Sequence, residues 1–583
     1  MQKIAALIPA AGYSSRLGDF KPLLPVGRST VIEEAVGRFR LAGIEDVRVV
    51  IGHRAAEISP VLDRLGVRRI FNPDYARGML SSVLAGLKSL EPVIDAFFLL
   101  PADIALVKPA TIKALAGVYR SSGATVVYPR FEGLRGHPPL ISRDLPAKDL
   151  PRDYEGGLRT FLSRFEDRAF DVDVPDQAIL MDCDTKVDYF KLCAYRLRDD
   201  IPTVRECLAL LSGHGASNQT IGHCRMVAGL ARLLAVHLGF AGFAVNIDLV
   251  TAAGLLHDMA KGQADHAQAG AEVLEKLGYG RVARIVALHT DIQSKSGPLD
   301  EADLVHLADK LVKGELLVSL EERFDGPLKK FAGRPDVLRA VGNRLEIAKK
   351  LRKRLEDLSG VAVREIIEKV KSGLQTASGG RRRIYLARHG AVVHRGDIKR
   401  YIGQTDLPLS TEGVRQAEML AEKLKDTELA AIYCSDLRRS VDTAQTVSRL
   451  HGLRPIADPR LRELSLGEWE GFSFDEVRTL FPAEYEERGR DIVNYRPSGG
   501  ESFLDCARRV MPALYGALGA TGGDILIVGH AGVNRILLCH ALGKPIDEIF
   551  DIDQDYGCLN LIQYSDFAFE LEILNEIPGA QAK

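Results

Sequence analysis

The chain is predicted to be a multidomain protein, with an α/β domain at each end and an all-α domain between them. Three observations predict this. At 583 residues it exceeds what one hydrophobic core of ordinary size supports. From Ile4 to about residue 190, short apolar runs alternate with amphipathic stretches, the pattern of a parallel α/β sheet. From about residue 200 to 372 the strand signal gives way to long helical periodicities. The uncharged stretch Ser372 to Gly380 reads as a linker, and a new strand opens beyond it. The expected domains are therefore 1–195, 196–372 and 381–583. The two α/β regions share no motif, so they are not repeats.

Composition narrows the function classes. Hydrophobic residues make up 46% and charged residues 27%, the balance of chains that bury a core in each domain. Lysine plus arginine number 77 against 78 acidic residues, so overall charge points to neither nucleic acid nor an anionic membrane as partner. Any affinity for phosphate must be local. The eight cysteines are scattered, with no Cys-x-x-Cys pair, and read as reduced core thiols. Met1 to Ala11 is apolar but short, and it runs into a glycine-containing turn, as a buried first strand does. No uncharged apolar run reaches membrane-spanning length, and the expected location is the cytoplasm.

In the first region, strands are expected at Ile4 to Ile8, Val47 to Ile51, Ala96 to Leu100 and Thr125 to Tyr128, and a helix at Val31 to Ala42. The turn Pro9-Ala10-Ala11-Gly12 follows the first strand and can expose backbone N–H groups to phosphates, with Arg16 and Lys21 supplying positive charge. Leu99-Leu100-Pro101-Ala102-Asp103 puts a carboxylate at the end of a later buried strand, where Mg²⁺ bridging triphosphate oxygens would need one. These residues resemble the nucleotidyltransferases that activate molybdopterin, the cytidylyl branch more than the guanylyl. Supporting segments are Lys21-Pro22-Leu23-Leu24-Pro25, Asn72-Pro73 with Gly78-Met79-Leu80-Ser81-Ser82, Gly136-His137-Pro138, Gly156-Gly157-Leu158-Arg159 and Asp182-Cys183-Asp184-Thr185. The resemblance implies a Rossmann-like α/β fold, with Ala11, Gly12, Arg16, Lys21, Ser81 and Ser82 binding nucleotide. It also implies Asp103 as a Mg²⁺ ligand, with Asp182 or Asp184 as the second. CTP and a phosphorylated cofactor precursor, molybdopterin foremost, would be the substrates, and molybdoenzymes the downstream partners. Pro101-Ala102-Asp103-Ile104 departs from the family's Gly-Asp-Gln-Pro but keeps the aspartate.

In the helical region, His223 falls on an expected helix, His257-Asp258 ends the apolar run Ala252 to Leu256, and Asp309 follows the helical segment Leu304 to Ala308. Imidazoles and carboxylates from separate helices can converge on a metal in a bundle core. The set resembles the HD-domain phosphohydrolases, which implies His223, His257, Asp258 and Asp309 as ligands of a divalent transition metal such as Fe, Mn or Zn. Lys261 stands in the family's usual position after the pair, and His266 and His289 are implied as ligands of a second metal. A competing reading makes this region a nucleotide-sensing or packing module without catalysis.

In the last region, the strand Ile384 to Ala387 delivers Arg388-His389-Gly390 at its carboxyl end, and Asp524 to Val528 delivers Gly529-His530-Ala531. Ligands sit at such strand ends in open α/β sheets. One histidine can attack phosphorus while the other, with arginines, neutralises the equatorial oxygens. The region resembles the histidine phosphatase superfamily, the phosphoglycerate mutase-like proteins. That implies His389 as the phosphorylated nucleophile beside Arg388 and, in Ser435-Asp436-Leu437-Arg438-Arg439, Arg439 rather than Arg438 as phosphate clamp. It further implies Glu463 as proton donor and His530 as the residue that completes the pocket. Gly403 to Leu409 and Gly499-Gly500-Glu501-Ser502 look most like the α-ribazole phosphatase branch, so a phosphomonoester is the expected substrate. Position 391 is alanine, where many members carry a glutamate or other polar residue after the glycine. A transferase and an α-ribazole phosphatase would also both belong in assembly of the cobamide nucleotide loop, a competing enzyme reading.

Overall fold

The computed structural model describes residues 2–13, 19–143, 160, 162–290, 298–368, 381–393, 398–565 and 568–579. Arg16, the segment 156–159 and the linker 372–380 lie outside these residues. The chain divides into two compact units, Met1–Ile221 with Asp258–Ala287, and Gly222–His257 with Leu288–Lys583.

The first unit is built on a sheet of eight strands: β1 Ile4–Pro9, β2 Val47–Ile51, β3 Arg68–Phe71, β4 Ala96–Leu99, β5 Val126–Phe131, β6 Leu134–Arg135, β7 Leu140–Ser142 and β8 Ala169–Asp173. Their order is β8-β5-β7-β4-β1-β2-β3, with β6 paired to β5. All residues of β1, β2 and β4 are buried, as expected of strands covered by helices on both faces. β1 pairs in parallel with β2 and β4. The expected wholly parallel sheet is corrected at β7, which runs antiparallel to both β4 and β5. Helix Val31–Leu41 starts at a capping box in which the Thr30 N–H and hydroxyl both donate to Glu33. Helix Lys186–Leu197 is continuous through position 195. It is followed by helix Val204–Gly213, again opened by a capping box, Thr203 with Glu206.

The second unit holds most of helix Asn218–Phe240, then Ile247–Leu256 and Glu301–Lys310, ahead of a second sheet. Asn218–Gly239 is long and apolar enough to cross a membrane, yet 67% of that window is buried, the pattern of a core helix. Gly254 lets two helices cross closely: a Cβ there would lie 2.8 Å from Ala228 Cα. A two-residue hairpin, Val312–Lys313 with Leu316–Leu317, interrupts the region expected to be free of strands.

The second sheet comprises β9 Arg382–Arg388, β10 Leu429–Cys434, β11 Ile456–Ala457, β12 Asp524–Gly529, β13 Leu559–Ser565 and β14 Ala568–Glu576. The order is β11-β10-β12-β9-β13-β14, parallel from β11 to β9 and antiparallel across β13 and β14.

Candidate functional site

Strands β9 and β12 are parallel, and Arg388 pairs with Gly529. The residue after each strand therefore emerges beside the other: the His389 and His530 rings lie 4.9 Å apart, inclined at 64°. The backbone ties them further, since His389 N–H donates to Gly529 O at 3.1 Å. Both imidazoles are buried. Nδ1 of His389 lies 2.7 Å from Gly390 O. A carbonyl can only accept, so Nδ1 carries the proton and Nε2 holds the lone pair. Arg439 Nε donates to that Nε2 at 3.1 Å, while Nη1 and Nη2 donate to the carbonyls of Thr405 and Gly403.

Arg388 donates to Gln554 O at 2.6 Å, and its guanidinium sits 3.7 Å over the Tyr556 ring. Burial first, then the charges of Arg388 and Arg439, hold His389 well below the ordinary imidazole range. Burial, then His389 and Arg439, do the same for His530. Neither ring nitrogen of His530 has a hydrogen-bond partner among the described residues. A buried, unpartnered polar group costs free energy, and an anion seated between the two rings would remove that cost.

Glu463 closes the pocket. Its carboxylate accepts from Leu464 N–H at 2.9 Å and from Gly532 N–H at 3.1 Å, in the first turn of helix Ala531–Leu542. A Cβ on Gly532 would come 2.6 Å from Glu463 Oε1, so the glycine makes room for the acid. The sequence reading missed Arg509, which donates to Glu463 O, Arg462 O and both oxygens of Glu501 and so fixes the loop carrying Glu463. It also missed Tyr556 and Gln554. A faint signal existed for Arg509 in the Gly499-Gly500-Glu501-Ser502 motif, whose glutamate it pairs with; for the other two there was none.

In the same unit, His223 Nε2 and His257 Nε2 lie 3.2 and 3.7 Å from one oxygen of Asp309. The His289 ring lies 5.0 Å from that of His257. His223 Nδ1 bonds Gly314 O at 2.9 Å and His257 Nδ1 bonds Gly254 O at 2.8 Å. Both Nε2 atoms are thereby turned to Asp309, the nitrogen a metal would take once any proton on it has left. Burial alone would raise the Asp309 carboxyl, but Lys310, the His223 hydrogen bond and His257 outweigh it and hold it well below the usual range. Two imidazoles and a carboxylate suit a divalent transition ion. In the first unit Asp258, next in the chain after His257, pairs with Lys261 at 2.5 Å and His266 at 3.3 Å.

The first unit gathers Lys21, Asp103 and Asp184: the ammonium lies 2.5 Å from Asp184 Oδ1 and 3.7 Å from Asp103 Oδ2. Burial raises the Asp182 carboxyl, and repulsion from Asp184, Asp188 and Asp103 adds to it. Crowded carboxylates at a strand end, with one lysine among them, form an oxygen-donor set that suits Mg²⁺ with bound phosphates. Ala11 is buried, and its carbonyl accepts from His53 N–H at 3.2 Å. Gly12 has open space around it. The Ser81 and Ser82 hydroxyls both accept from Asn72 Nδ2, at 2.9 and 3.0 Å, beside the start of helix Met79–Lys88.

Comparison with known proteins finds three families along the chain. The histidine phosphatase superfamily (branch 1) matches residues 384–577, the MobA-like NTP transferase domain residues 6–169, and the HD domain residues 220–314. A glucosyl-3-phosphoglycerate phosphatase of Mycolicibacterium vanbaalenii is 36% identical over 174 residues, 28% of this chain and 76% of that protein. A probable phosphoglycerate mutase GpmB of Yersinia pestis is 35% identical over 167 residues, 28% of this chain and 75% of that protein. Among solved structures, a putative alpha-ribazole-5'-P phosphatase from Escherichia coli aligns with 27% identity over 33% of this chain and 96% of its own, at a TM-score of 0.32. The chain is thus a transferase and phosphatase enzyme: it belongs to the histidine phosphatase superfamily through its last domain, joined in one polypeptide to a MobA-like NTP transferase domain and an HD domain.

Proposed function

We propose that this enzyme transfers a cytidylyl group from CTP to a phosphorylated cofactor precursor, molybdopterin foremost, in the cytoplasm. On this reading the domains 1–195, 196–372 and 381–583 carry the transferase, an HD phosphohydrolase and a phosphatase, and molybdoenzymes are the downstream partners. The observation that carries the transferase reading is Lys21 set between Asp103 and Asp184, with the Asp103 loop tied to the end of β1 by Ala102 N–H donating to Pro9 O at 3.1 Å. Asp103 and Asp184 would hold Mg²⁺, which when bound neutralises triphosphate oxygens. Lys21 stabilises charge on the leaving pyrophosphate while the acceptor phosphate attacks the α-phosphorus in line. Ala11, Gly12, Ser81 and Ser82 border the nucleotide.

In the last domain, Nε2 of His389 attacks phosphorus as the ester P–O bond breaks, and Glu463 protonates the departing oxygen. Arg388, Arg439 and His530 hold the transferred phosphoryl oxygens. Water then attacks the phosphohistidine, the P–N bond breaks, and the Glu463 carboxylate takes the proton. His223, His257, Asp258 and Asp309 are the ligands proposed for an Fe, Mn or Zn ion, with His266 and His289 serving a second.

The test is incubation of the full protein with Mg²⁺ and each nucleoside triphosphate, with and without molybdopterin, following pyrophosphate release. Release with CTP that needs molybdopterin and is lost in Asp103→Ala supports the reading. Release with another acceptor only, a cobamide precursor for example, moves the assignment there.

A further inference from the structure

Three neighbouring parallel strands of the first unit, β1, β2 and β3, end at one edge of the sheet, and each places a ring just beyond its end. Tyr13 follows Pro9, His53 follows Ile51 and Tyr75 follows Phe71. The loops are laced together by backbone hydrogen bonds: Ala10 N–H to Val50 O at 2.8 Å, His53 N–H to Ala11 O at 3.2 Å, and Asn72 N–H to Ile51 O at 2.9 Å. The rings consequently gather. Tyr13 lies 4.9 Å from His53 and 5.6 Å from Tyr75, and His53 lies 6.2 Å from Tyr75.

Two further features indicate that the gathering is built for a ligand. Gly52 permits it: a Cβ at that position would fall 2.6 Å from Tyr75 Cβ and 2.9 Å from Ala11 Cβ, so a side chain there would drive the Tyr75 ring away from the phosphate turn. Tyr13 also keeps a surface open to solvent. The three interplanar angles are 43°, 57° and 46°, so no pair is stacked face to face, and Tyr13 is 55% exposed. An exposed tyrosine backed by two half-buried rings, beside the turn proposed to meet phosphates, suits a flat π-system. In the sheet, β4, whose end leads to Asp103, pairs directly with β1.

We propose that Tyr13, His53 and Tyr75 form a stacking subsite for a flat, π-rich heterocycle attached to the phosphates handled at Lys21 and Asp103. The inference rests on the transferase reading of this domain. The ring set selects for the presence of a planar heterocycle rather than for its hydrogen-bonding edge, because stacking tolerates any π-face. Two sources of such a ring meet in this reaction, the base of the nucleotide and the planar part of the acceptor.

Equilibrium binding of CTP and of inorganic tripolyphosphate to the full chain in Mg²⁺, with acceptor KM measured in parallel, separates them. Tyr13→Ala and Tyr75→Ala are expected to weaken CTP about tenfold and leave tripolyphosphate unchanged, while Tyr13→Phe and Tyr75→Phe bind CTP as the native chain does. Unchanged tripolyphosphate binding also reports that the alanine variants are folded. If CTP affinity holds but the acceptor KM rises about tenfold in the alanine variants only, the subsite stands with the acceptor as its occupant. If neither changes, the subsite is overturned and the transferase reading survives. If the native chain binds neither CTP nor tripolyphosphate, both fall.

Discussion

At His389 a single hydrogen bond sets the tautomer on which the proposed chemistry depends. Gly390 O fixes the proton on Nδ1, and burial beside two arginines keeps the ring neutral, so Nε2 holds the lone pair, which Arg439 Nε meets until a phosphoryl group takes its place. His389→Ala is expected to abolish phosphatase turnover, and Arg439→Met to lower kcat about a hundredfold, the usual loss when a preorganised cation leaves a developing anion. Gly532→Ala is the sharper test of Glu463, because the added methyl displaces the carboxylate without removing it. Phenyl phosphate, whose leaving oxygen needs a proton, should slow about tenfold or more, whereas p-nitrophenyl phosphate should change little; equal losses on both would contradict the acid role. Burial, with Arg232 adding to it, pushes His540 down to about 3, and His389 and His530 are also depressed. Below pH 6.5 the unfolded chain takes up protons that the folded one refuses. Stability is therefore full above that pH and is lost as pH falls toward 3. Urea midpoints measured from pH 8 to pH 4 should decline below 6.5, and a flat profile would count against the buried neutral imidazoles.

At the scale of elements, glycine positions govern how closely the parts meet. Gly254 admits the helix crossing at Ala228, and its carbonyl also holds His257 Nδ1. Gly254→Val should cost about 1–3 kcal/mol by overpacking and lower metal content measured on the purified protein; full metal occupancy would show that the crossing does not position His257. Much of this level was legible in the sequence. β1, β2 and β4 read as strands because, Arg48 apart, their residues are apolar enough to be buried on both faces, and the capping residue Thr30 with Glu33 marks a helix start locally. What was not legible is pairing between distant segments. The three-residue strand β7 carries no sign of its antiparallel direction, and the hairpin at 312–317 is too short for any periodicity. His389 and His530 could be paired on paper because each follows an apolar strand in a distinctive motif. Arg509, Tyr556 and the Tyr13, His53 and Tyr75 rings could not, since only folding brings them beside their sites.

At the scale of the whole molecule, the three sites proposed to handle phosphate differ in what meets the phosphate charge. Around His389 and His530 it is arginine and imidazole, all supplied by the chain. At Lys21, Asp103 and Asp184 two carboxylates share one lysine, and at His223, His257 and Asp309 one carboxylate meets two imidazoles; an anionic substrate of the proposed kind would need a cation from solution at either. His257→Ala should therefore lower metal content and any HD hydrolysis while leaving phenyl phosphate hydrolysis intact. The most direct test of the account assays one preparation of the full chain twice, before and after exhaustive EDTA treatment, for triphosphate-dependent pyrophosphate release and for phenyl phosphate hydrolysis. Pyrophosphate release should vanish and return with added Mg²⁺, while phosphatase turnover holds steady throughout. Loss of both activities to the chelator, or survival of both, would contradict the division of chemistry proposed for this chain.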